Sequence, residues 1–60
     1  MIEKGTEVEV VYKDEREKTQ TKVLNFRVDK GNKIVFKDNI TDLEKIIPVS
    51  RIVIINELSK

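Results

Sequence analysis

Lys22, Arg27, Lys33 and Lys37 are the side chains whose chemistry is easiest to name, because cations displayed on one hairpin form a small footprint for phosphate groups. Arg27, Lys33 and Lys37 share an outward parity beside Asn25, whereas Lys22 has the parity of Phe26 and joins them only where its strand bends or twists. Asp29 and Asp38 dilute the footprint at the strand ends. Ordinary cross-strand charge pairing on a solvated sheet accounts for the same residues without any ligand. Arg51 follows Pro48-Val49-Ser50, where free backbone N–H groups would help it hold a phosphate or carboxylate; the structural alternative pairs it with Glu44 or Glu57. Of the three aromatic residues, Phe26 and Phe36 fall on the predicted core face. That leaves Tyr12, whose hydroxyl seeks water or a partner, as the ring to set beside Ile52, Ile54 and Arg51 in a protein interface.

Other chemistries lack their residues. The 60-residue chain has no Cys, which removes disulfides, thiolate nucleophiles and cysteine-ligated metals. It has no His, so the usual acid/base group near neutral pH and the imidazole-built metal sites are missing too. Carboxylates, lysines and hydroxyls remain, but a chain this short has little material for a water-excluding pocket, and the expectation is a non-enzymatic protein without cofactor or metal. Glu7, Glu9 and the Glu15-Arg16-Glu17 loop make the first hairpin acidic, yet alternating exposed Glu fixes no metal geometry. Twelve basic and eleven acidic residues give a net charge of +1, so bulk charge selects no partner. The polar start Met1-Ile2-Glu3-Lys4 and the longest apolar run, Ile52 to Ile55, predict neither a leader nor a membrane span, and hence a cytoplasmic protein.

The elements that must position these side chains are strands. Eight Ile, eight Val and four Thr make one third of the chain β-branched, and Ala is absent. Val8, Val10 and Tyr12 alternate with Glu7, Glu9 and Lys13 in a half-buried first strand, which Val11 interrupts on its polar side. After the polar turn Asp14 to Glu17, a long strand from Lys18 to Val28 places Leu24, Phe26 and Val28 on one face. Asp29-Lys30-Gly31-Asn32 then reads as a hairpin turn, returning Ile34 and Phe36 to that face with Lys33, Val35 and Lys37 outside. Thr41 and Glu44 have capping-box spacing for a helical turn from Asp42, but Pro48 would stop it early, which favours a short strand from Glu44 to Ile47. Pro48 to Arg51 fits a tight corner or 3₁₀ turn. The last strand, Arg51 to Leu58, sets Val53 and Ile55 on one face and Ile52 and Ile54 on the other. Its unbroken isoleucine-rich run implies either a covered second face, as in a dimer, or partial exposure, or shielding by Met1 and Ile2 folded back.

Five short antiparallel strands in one domain over residues 1–60 most economically close into a small barrel, which removes exposed edges. The hairpin around Gly31 and the segment Ile46-Ile47-Pro48-Val49-Ser50-Arg51-Ile52 resemble the SH3-like and Sm-like small barrels, in which a 3₁₀ corner joins the last two strands. The latter segment is similar to the Ile-Pro-x-x-Arg-Ile/Val endings of some small archaeal and bacterial barrel proteins. The resemblance implies an all-β, five-stranded antiparallel SH3-like barrel with a 3₁₀ corner before its last strand, in a group that includes peptide and nucleic-acid binders. No Asp-Gly or Asn-Gly signature of an RNA pocket and no aromatic cluster is present, so it transfers no binding residues. Two expectations follow. The first is an interaction or adaptor module binding a protein partner or a second copy through strand edges and Ile52 to Ile55. The alternative is a nucleic-acid binder contacting phosphates through Lys22, Arg27, Lys33 and Lys37.

Overall fold

The computed structural model describes residues 2–58. Five strands, β1 (Glu7–Lys13), β2 (Thr19–Asp29), β3 (Lys33–Lys37), β4 (Glu44–Pro48) and β5 (Ile52–Glu57), form one antiparallel sheet in the order β4-β3-β2-β1-β5. A single 3₁₀ turn, Val49–Arg51, joins β4 to β5. The capping-box alternative at Thr41 is not used for a helix: its Oγ1 accepts from the Leu43 N–H at 3.4 Å inside a turn.

The expected closed barrel is not formed, and the resemblance to SH3-like and Sm-like barrels fails with it. Strands β4 and β5 stand at opposite ends of the sheet order and share no ladder among the described residues. Closure needs a ladder between β4 and β5, whereas β4 pairs with β3 and β5 with β1, and their junction adds no pairing. Pro48 ends β4 without an N–H to donate, and the next three residues leave extended geometry before β5 begins. The protein is therefore an open five-stranded sheet with two edge strands rather than a barrel with none.

The core lies on one face of this sheet. Val8, Val10 and Tyr12 from β1, Leu24 and Phe26 from β2, Ile34 and Phe36 from β3 and Ile47 from β4 form one buried cluster, with Ile2, Ile52 and Ile55 packed against it. Phe26 and Phe36 face each other across β2 and β3, their ring centroids 6.3 Å apart and edge-on, an arrangement aromatic quadrupoles favour. Of the two residues expected to shield the last strand, Ile2 does pack on the core, and Met1 lies outside the described residues.

Two irregularities redirect side chains that simple alternation places elsewhere. Phe26 pairs with Phe36 but Val28 with Val35, leaving Arg27 as an extra residue in β2. Val28 thereby leaves the core side and emerges exposed beside Val35. Val35 is on the outer face as predicted, yet it is only 6% exposed, because Val28 and Ile46 flank it across the strands. The second bulge lies in the β1–β5 ladder, where Val11 pairs with Ile54 but Tyr12 with Ile52, so Val53 is extra. Ile52 and Ile55 consequently both pack on the core, while Val53 and Ile54 stand in solvent at 54% and 49% exposure. The expected division of these four residues into alternate faces is corrected by this one inserted position.

Candidate functional site

The backbone of β5 sets what its free side offers. The Phe26 N–H donates to the Thr6 carbonyl, and the Leu58 N–H donates to the Glu7 carbonyl at 3.0 Å. Because bonding direction alternates along a strand, even-numbered residues of β1 bond toward β2 and odd-numbered ones toward β5. Ile54 and Asn56 on β5, and Leu58 just after it, accordingly turn their polar groups to β1, whereas Ile55 and Glu57 turn theirs outward. No other element pairs with that side among the described residues. The result is an open edge bearing unpaired N–H and C=O groups next to the exposed Val53 and Ile54.

Arg51 is fixed at the start of this edge. Its guanidinium donates to the Asp14 carbonyl oxygen at 2.7 Å, tying the β1–β2 loop to the 3₁₀ corner. The acceptor is thus a main-chain oxygen 37 positions away, not the carboxylate of Glu44 or Glu57. Asp14 organises the loop from its side chain as well. One carboxylate oxygen accepts from the N–H groups of Arg16 and Lys18 at 2.8 and 2.9 Å, and the other from the Gln20 amide at 2.9 Å. The Lys18 N–H first, then the Gln20 amide, hold its carboxyl below the usual carboxylate range; Arg51 adds a smaller attraction. Tyr12 is buried in the core rather than displayed, with the Lys45 ammonium 5.4 Å from its ring centroid. Its edge, together with Asp14, Arg16, Lys45, Pro48 and Arg51, borders an open cavity of about 660 Å³ with charges of both signs.

The four basic candidates do not converge as one set. Lys22 pairs with Val10 in register, which confirms its parity with the core side, and its ammonium lies 3.9 Å from an Asp38 carboxylate oxygen. Lys37 is 2.9 Å from Asp42. Arg27 is the bulged residue of β2 and borders a shallow outer-face depression with Lys4, Lys30, Val35, Glu44 and Ile46. Lys33 stands opposite Pro48 at the other end of β3 from Lys37. Sequence reasoning missed the outer apolar stripe Val28, Val35 and Ile46, and the exposed loop residues Ile40 and Leu43. It also missed Asp14 as the loop's organiser, although an Asp opening a polar four-residue turn is a recognisable signal for side-chain capping.

No group of three or more Asp or Glu is placed to hold a metal among the described residues. Among the described residues no helix is long and apolar enough to cross a membrane. Comparison with protein-family models, curated proteins and solved structures gave no match.

Proposed function

We propose that this chain is a non-enzymatic interaction module that takes a protein partner by strand addition along β5. The observation that carries this reading is the open edge itself, where the outward main-chain groups of Ile55 and Glu57 accompany the exposed Val53 and Ile54. An added strand satisfies the main-chain groups and covers apolar surface in one step. The phosphate-contact reading has weaker support, since Lys22 and Lys37 already face Asp38 and Asp42. What remains of it is Arg27 and Lys33, too few for a steep salt-dependent grip on a polyanion.

The test is a photo-crosslinking residue at position 53 in the cell extract, compared with the same protein carrying Glu57→Pro. Proline removes an outward N–H while leaving the ladder to β1 intact, so the far-UV circular dichroism is retained. The expected result is a polypeptide adduct of defined mass that is lost in the proline variant. An absence of adducts, or adducts indifferent to Glu57→Pro, overturns strand addition. Low-salt fluorescence anisotropy with short single-stranded and duplex probes completes the test: micromolar binding abolished by Lys33→Glu would favour the phosphate reading instead.

A further inference from the structure

We infer that the cavity between the β1–β2 loop and the 3₁₀ corner binds a small soluble phosphate monoester. This site is independent of what β5 takes.

The charges that line the cavity favour an anion. Lys13, Arg16, Lys45 and Arg51 stand there against Asp14 and Glu15, an excess of two positive charges, which is the charge of a phosphate monoester in its dianionic form. Both Asp14 carboxylate oxygens are already engaged by the Arg16 and Lys18 N–H groups and the Gln20 amide. The ion pairs among the described residues join Lys22 to Asp38 and Lys37 to Asp42, so neither neutralises a cation of this cavity.

Tyr12 supplies a second observation. The residue is only 5% exposed, yet its hydroxyl makes no hydrogen bond among the described residues, where no side-chain polar atom is both buried and unpartnered. Its small exposure therefore includes the hydroxyl, which opens onto the cavity that Tyr12 lines. The Lys45 ammonium lies 5.4 Å from the centroid of the same ring, which sets a cation and a hydroxyl donor in one patch. Arg51 brings the third donor group. One of its N–H groups is spent on the Asp14 carbonyl at 2.7 Å, which steadies the guanidinium, and the donors left over suit two oxygens of one anion.

Three donor groups match the three terminal oxygens of a phosphate monoester, whereas a carboxylate has only two. A volume of about 660 Å³ exceeds what one phosphate needs and falls within the range of small-molecule sites, so the anion arrives on a larger body. Ile46 and Pro48 give that body apolar surface to lie on. The Tyr12 ring itself is buried and accepts no stacked base. One cationic cluster, diluted by Glu15, suits a single phosphate rather than a run of them.

The experiment is an amide-resolved NMR titration of the full chain at constant ionic strength, with inorganic phosphate, glycerol phosphate, adenosine monophosphate and acetate as probes. Either monoester should shift the Tyr12, Arg16, Lys45 and Arg51 amides saturably and bind about tenfold more tightly than inorganic phosphate, while acetate should leave them unmoved. Lys45→Gln should weaken monoester binding about tenfold and Tyr12→Phe, which keeps the core ring, about threefold. Lys4→Gln, at the separate outer-face depression, should change nothing. Thermal melting of each variant separates lost affinity from lost folding, and the wild-type arm needs no variant at all. Shifts that do not saturate, or a loss with Lys4→Gln equal to that with Lys45→Gln, overturn the site. Acetate binding as tightly as the monoesters overturns the phosphate assignment, and inorganic phosphate binding as tightly overturns the larger body. A terminally phosphorylated oligonucleotide that outbinds adenosine monophosphate places the phosphate on a nucleic-acid end and overturns the soluble ligand.

Discussion

Asp14 shows how much local order one surface carboxylate imposes. It receives two backbone N–H groups and the Gln20 amide, and its own carbonyl receives Arg51, so four groups from both ends of the fold meet at this residue. These donors favour the ionised form and lower its pKa. A folded-state pKa below the unfolded value of about 3.8 contributes stability that is present above that value and lost as pH falls through the folded one. Asp14→Asn should therefore melt at a lower temperature than wild type near pH 7, and the two melting curves should converge as the pH falls through the lowered folded-state pKa. Thermal denaturation followed by circular dichroism across that range checks it; a constant gap down to pH 2 would show that charge is not what the loop uses. The tie from Arg51 was not legible in the sequence, because any carbonyl can accept a hydrogen bond and a main-chain acceptor leaves no mark on residue identity.

Among the elements, those governed by strict alternation were legible. Val8, Val10 and Tyr12 are buried as their spacing predicts, and the Gly31 turn joins β2 to β3 as its residues require. Gly31 has φ near +92°, and the Asp29 carboxylate accepts its N–H at 2.8 Å. An added Cβ would meet nothing within 4 Å, so Gly31→Ala isolates the backbone penalty, about 1–2 kcal/mol, measurable by urea unfolding. A cost near zero would mean that the turn relaxes to negative φ. Alternation failed where a residue was inserted without a compositional signal. Arg27 and Val53 look like ordinary strand residues, yet each shifts the register and turns its neighbours, bringing Val28 out and Ile52 in. The closed barrel was inferred from strand number and from the Pro48 corner, neither of which encodes whether β4 and β5 share a ladder.

At the scale of the whole molecule, the sheet depends on one long-range pairing. Strand β1 lies between β2, its neighbour in sequence, and β5 from the far end of the chain. A chain cut after Arg51 loses this ladder together with Ile52 and Ile55 from the core margin. For a domain so small, the loss of several kcal/mol of burial exceeds the usual reserve. Such a chain should show collapsed amide proton dispersion and no cooperative thermal transition; a dispersed spectrum would prove β1 to β4 self-sufficient. The same spatial order carries a consequence for connectivity. Leu58 is bonded to Glu7, so the first and last strands are already neighbours, while the 3₁₀ turn links the two margins of the sheet. A circular permutant joined near those residues and opened at Ser50 would run β5, β1, β2, β3, β4, a plain meander in which every strand lies beside its successor. Only the route of the backbone sets the natural chain apart from that simplest of β topologies.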